Sequence, residues 1–173
     1  HDALPIWFRQ RYGGGGGLVT ARILDGKALA AQVKQEVRAR VATVKARGVT
    51  PGLAVVLVGD DPASAVYVRS KTKDARECGI EAFDHKLPAD VSQATLLALV
   101  AKLGADPAVH GILVQLPLPR HLDADQVIEA IPPHKDVDGL HPESLGRVAQ
   151  GRPRFVACTP QGCMRRSEEH TSE

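Results

Sequence analysis

Tyr67 and Lys71 lie four residues apart in the stretch ASAVYVRSK. On a helix that spacing puts a phenol and an ammonium on one face. Ser64, three residues before Tyr67, falls on the same stripe and is counted with it among the substrate-binding candidates. A phenol beside an ammonium suits a site where a proton moves, because each alters the other's ionisation and both can hydrogen-bond a substrate. The same spacing also describes a solvated lysine stem lying on a half-buried tyrosine. Gln115 is a third candidate, an amide inside the apolar run GILVQLPLP (Gly111–Pro119). It can accept from an ammonium and donate to a ligand at once. The plainer alternative is a core glutamine bonded to backbone.

The stretch HKDVDGLH holds His134, Asp136, Asp138 and His141. Three readings stand side by side: a metal site, a solvated polar loop, and a loop offering a carboxylate to a substrate. Imidazole and carboxylate are ordinary ligands, but no zinc or calcium loop spacing matches, and no metal is expected. In an extended segment Asp136 and Asp138 would face one side, and Gly139 allows close approach of backbone. Cys158 and Cys163 read as structural thiols, with no partner base in view.

The elements that must position these groups alternate. Leu29, Val33, Val37, Val41 and Val44 predict an amphipathic helix over about 26–47, closed by Gly48. GLAVVLVG (Gly52–Gly59) reads as a buried strand, and Asp60-Asp61-Pro62 as the cap and first turn of the helix carrying Tyr67 and Lys71. That helix is expected to end near Cys78, with Gly79 closing it. A second strand follows at 80–88, a helix at 91–106, a third strand at 109–119 buried on both faces, and a helix at 123–131. After the acidic loop comes a short helix near 143–149, and past Phe155 a further element begins. Strand–helix alternation predicts an α/β domain of three layers with a mostly parallel sheet and right-handed crossovers. In such sheets ligands bind outside the carboxyl ends of the strands, where Gln115 and the start of the Tyr67 helix can converge. Pro117 and Pro119 end sheet pairing there.

Composition bounds the partners. The chain has 173 residues, 43% apolar and 24% charged, with a net charge of +2. An aromatic share of 3% argues against a base-stacking nucleic-acid surface. No apolar run approaches the ~18 residues of a membrane span, so neither nucleic acid nor membrane is expected as a partner. Three cysteines, Cys78, Cys158 and Cys163, suit a reducing compartment, and a cytoplasmic location is expected. The ends HDALPI and RSEEHTSE resemble translations of sequencing-adapter DNA. Residues 1–19 are therefore expected to be a non-native or disordered leader, and 166–173 a non-native tail. The run Gly13–Gly17 follows no strand and opens no helix, unlike a phosphate-binding loop. Without those ends the chain is mildly basic, compatible with an anionic ligand.

Short-chain dehydrogenases share the Tyr-x-x-x-Lys spacing, but they need a glycine-rich dinucleotide turn well upstream. Here a single strand and the turn VGDDPAS precede the pair. YVRSK, GILVQLPLP and KDVDG, in that order, with GLAVVLVGDDPAS before them and CTP after them, resemble the bifunctional methylenetetrahydrofolate dehydrogenase/cyclohydrolase family. The similarity runs over about 21–162. It implies that Tyr67 and Lys71 are catalytic, that Gln115 positions the lysine and touches substrate, and that Asp138 holds the pterin ring. It implies tetrahydrofolate derivatives as substrates, NADP as cofactor and a homodimer. Members oxidise methylenetetrahydrofolate with NADP, then hydrolyse the methenyl product to formyltetrahydrofolate. On this reading residues 20–150 are the folate-binding catalytic domain and 151–165 begin a connection. The Rossmann-type second domain, which would hold all the cofactor-binding residues, is expected to be absent. Ala157 stands where the family usually has proline. A folate-binding module without catalysis and a non-catalytic interaction domain remain open beside the enzyme reading.

Overall fold

The computed structural model describes residues 25–168; the leader at 1–19, the glycine run and the last five residues lie outside them. Asp25 opens α1 (Gly26–Lys45), accepting from the backbone N–H of Lys27 and Ala28 at 2.9 and 3.1 Å. Its apolar stripe is only partly covered: Leu29 and Val41 are buried, while Val33 and Val44 are exposed. β1 (Gly52–Val58) is buried almost throughout, as a central strand of apolar residues must be. α2 (Pro62–Glu77) begins with Pro62 in its first turn, and the Asp61 carboxylate accepts from Ser64 N at 2.7 Å. Gly79, at φ +84°, then turns the chain into β2 (Glu81–Leu87) in a conformation costly for other residues. α3 (Gln93–Ala105) is capped by Ser92. β3 (Gly111–Val114), α4 (Ala124–Glu129), α5 (Pro142–Ala149) and α6 (Cys158–Glu168) complete the described chain.

The three strands form one parallel sheet in the order β2-β1-β3. Alternate residues of β1 serve opposite cores. Ala54, Val56 and Val58 join Leu96, Val100 and Leu103 of α3 and Val127 of α4 on one face. Val55 and Leu57 meet Val68 of α2 on the other. α1 packs outside α2, tied to it by Lys34 with Asp74 and by Arg38 donating to the Glu77 carbonyl at 3.1 Å. The result is the three-layer α/β arrangement expected from the alternation.

Two local expectations change. The third strand is four residues long rather than spanning 109–119. Gln115 N still donates to the Val56 carbonyl at 2.8 Å, but Pro117 and Pro119 have no N–H to continue the ladder. The chain leaves the sheet through a cis Leu116–Pro117 bond. The loop after α4 is also not simply solvated. Lys135 and Asp136 are buried, and Asp136 makes a parallel bridge to Ile112 that extends the sheet past β3 by one rung. The Lys135 ammonium donates to the Asp106 carbonyl at 2.8 Å, satisfying the C-terminal end of α3.

Candidate active site

Three segments meet beyond β3. α2 brings Tyr67 and Lys71, the end of β3 brings Gln115, and the loop between α4 and α5 brings Asp138. Lys71 Nζ donates to Gln115 Oε1 at 3.2 Å, and Gln115 Nε2 donates to the Leu116 carbonyl at 2.6 Å. The amide is therefore held at both ends, with its oxygen turned to the lysine. Tyr67, one turn before Lys71, is 62% exposed, so its ring projects from the domain instead of filling the core. Ser64, at the start of α2, is buried.

Asp138 is half-buried, whereas Asp136 is 1% exposed. The loop bends here: Gly139 N donates to the Asp136 carbonyl, and Gly139 sits at φ +68°. A Cβ on Gly139 would come within 2.7 Å of Ala157 N and 2.8 Å of the Val156 carbonyl carbon. The absence of a side chain thus lets the segment before α6 close directly on the aspartate loop.

That closure brings in a residue the sequence reading did not place. The sequence reads Cys158 only as a structural thiol. The residue is exposed, and its Sγ lies 3.6 Å from the Val137 carbonyl. Crowding of the sulfur by protein, and then the negative charge of Asp138, push the thiol's pKa up from its ordinary value, while the Lys71 ammonium pulls it down. One sulfur therefore feels both Asp138 and Lys71. No local pattern could have announced this, because the contact spans the whole loop and α5. Cys163 is exposed on α6.

His134 is exposed, and His141 Nδ1 accepts from Glu143 N at 3.0 Å as the cap of α5. Among the described residues no group of three or more His, Cys, Asp or Glu could hold a metal ion.

An ammonium anchored by an amide, an exposed phenol and a half-buried carboxylate lie toward the carboxyl end of a parallel sheet, the place where α/β domains bind ligands. Residues 24–138 match the family model described as the catalytic domain of tetrahydrofolate dehydrogenase/cyclohydrolase. The chain is 60% identical over 147 residues to the Bifunctional protein FolD of Rhodopseudomonas palustris, covering 84% of this chain and 50% of that protein. Its fold matches the crystal structure of the bifunctional methylenetetrahydrofolate dehydrogenase/cyclohydrolase of Campylobacter jejuni with a TM-score of 0.84 at 45% identity, covering 86% of this chain and 53% of the other. The Trypanosoma brucei dehydrogenase-cyclohydrolase, solved with NADP cofactor and an inhibitor, matches at TM-score 0.80 and 38% identity, covering 83% and 50%. The chain belongs to the tetrahydrofolate dehydrogenase/cyclohydrolase family. It spans about half the length of the curated relatives it matches.

Two helix starts among the described residues do not suit the diphosphate of the dinucleotide that the family uses. A pyrophosphate needs a glycine-rich turn and free N–H groups at a helix start. The turn after β1 instead carries Asp60 and Asp61, and Asp61 already occupies the N-terminus of α2. Asp123 likewise caps α4. Carboxylates at these ends would repel a diphosphate.

Proposed function

We propose that this chain is the folate-binding catalytic domain of a bifunctional enzyme of one-carbon metabolism. The two-domain protein would oxidise methylenetetrahydrofolate with NADP and hydrolyse the methenyl product to formyltetrahydrofolate. Residues 20–150 form the folate domain in this reading, and 151–165 lead toward a dinucleotide-binding partner domain. The protein works in the cytoplasm as a homodimer. None of the described helices is long and apolar enough to cross a membrane.

The observation that carries this reading is the hydrogen bond from Lys71 to Gln115. It anchors an amine, without neutralising it, beside the exposed Tyr67. In hydrolysis, water's oxygen bonds to the cationic methenyl carbon, one carbon–nitrogen bond breaks and one proton is released. Lys71 steers that water and relays its proton. Gln115 fixes the amine and touches the folate, while Tyr67 covers the substrate ring. Ser64 lies beneath on the same stripe. Asp138 accepts from adjacent N–H donors of the pterin, since two carboxylate oxygens match two donors.

The test is calorimetric titration of the 173-residue chain with 5-formyltetrahydrofolate. Saturable binding that weakens in Asp138→Asn is expected. No binding, by a chain whose circular dichroism shows it folded, would leave the interaction-domain reading in its place.

A further inference from the structure

Asp136 is a fully buried carboxylate with no place in the chemistry above. Both of its oxygens nonetheless accept hydrogen bonds. Oδ2 accepts from the Ser144 hydroxyl at 2.6 Å and from His141 N at 2.9 Å, and Oδ1 accepts from Leu140 N at 3.3 Å. Ser144 is 2% exposed, so this grip is made out of water, where an unpaired partner is costly. Meanwhile the backbone at Asp136 is locked to β3, with Ile112 N donating to the Lys135 carbonyl at 2.8 Å. The same residue is thus bound to the sheet through its main chain and to the start of α5 through its side chain. Asp138 sits on the short arc between those two anchors.

We propose that Asp136, with Ser144 as its partner, is a positioning residue that sets the location of the Asp138 carboxylate without touching the ligand. The proposal rests on the folate reading of the site. The alternative for a buried carboxylate is a purely structural one, in which it holds α5 to the sheet and has no bearing on affinity.

A double-mutant cycle in the 173-residue chain separates them. Affinity for 5-formyltetrahydrofolate is measured well below the melting temperature for Ser144→Ala, Asp138→Asn and the double variant. Ser144→Ala is used because Asp136→Ala, which strands a buried set of donors, can fail to fold. With Asp138 present, Ser144→Ala should weaken binding about tenfold, the scale of one hydrogen bond to a charged group. With Asp138→Asn in place the same change should weaken it less than about twofold. Ser144→Thr, which restores the hydroxyl, should recover wild-type affinity. Equal losses in both backgrounds, or lowered stability with unchanged affinity, would overturn the proposal. A folded wild-type chain that does not bind the folate would instead sink the folate reading. The grip is then judged by hydrogen exchange at Asp138 and Gly139: faster exchange in Ser144→Ala upholds it, and unchanged exchange rejects it.

Discussion

Lys71 on α2 and Gln115 just past β3 are joined side chain to side chain at 3.2 Å, although 44 residues separate them in the chain. The bond links the helix on one face of the sheet to the point where the sheet ends. Lys71→Met keeps much of the stem's packing and removes the amine. In the two-domain protein it should abolish methenyltetrahydrofolate hydrolysis and leave circular dichroism unchanged. Hydrolysis at the wild-type rate by a folded Met variant would remove Lys71 from the chemistry.

Asp138→Asn should weaken folate binding by about 1.5–3 kcal/mol, since the lost partner is a charged acceptor. Asp136→Asn should act differently, lowering thermal stability as well, because it alters a buried acceptor set. Dissociation constants and melting temperatures for both variants distinguish the roles. A larger affinity loss at Asp136 than at Asp138 would mean that the wrong acid has been assigned to the pterin.

The thiol of Cys158 gives a chemical reading of the same neighbourhood. Burial and Asp138 raise its pKa, and Lys71 lowers it. Only the thiolate is alkylated. Iodoacetamide should therefore react with Cys158 faster in Asp138→Asn and more slowly in Lys71→Met. Mass spectrometry of the Cys158 peptide over a pH series measures both. Rates indifferent to the two substitutions would show that these groups do not share one site.

The 173-residue chain should show no saturable binding of NADP in calorimetry. Acidic caps at the starts of α2 and α4 would repel a diphosphate there, and the turn after β1 is not glycine-rich. Micromolar binding would contradict this expectation, and Gly13–Gly17 would be one place to look for the site.

Acid should loosen the start of α2. The Asp61 carboxylate is held below its ordinary pKa, chiefly by the hydrogen bond from the Ser64 backbone. A group depressed by folding contributes stability above its unfolded pKa, and that contribution fades as pH falls through the folded one. Asp61→Ala should thus lower the melting temperature at neutral pH, with a difference that shrinks in the acid range below the usual carboxylate pKa. A difference independent of pH would mean that the carboxylate's charge plays no part in the cap.

Much of the fold was legible because its signals are local. Asp61-Pro62 starts α2 and Gly79 ends it, and β1 is apolar on both faces because it lies between two cores. The nearness of Lys71 and Gln115 also followed from topology, since ligand-facing residues gather where parallel strands end. What the sequence hid was the direction of each aspartate in KDVDG. An extended segment would turn Asp136 and Asp138 the same way, but in the structure one is buried and the other half-buried, in a loop that bends at Gly139. The Val156–Ala157 backbone packs directly against Gly139, a contact between segments with no common pattern. The placing of Cys158 against Val137 was hidden for the same reason.

Among the described residues β2 has a strand neighbour on one side only, so its outer rim presents main-chain donors and acceptors to any passing strand. Such rims seed fibrils and swapped assemblies. This one is guarded. Glu81, Asp84 and Lys86 stand exposed along it, with Asp84 held by Arg76 and Lys86 by Asp60. An incoming strand would have to dismantle those ion pairs and bring its own side chains against fixed charge. The domain is thereby protected against self-templating at high concentration, and replacing these charges with valine would be the shortest route to an insoluble variant.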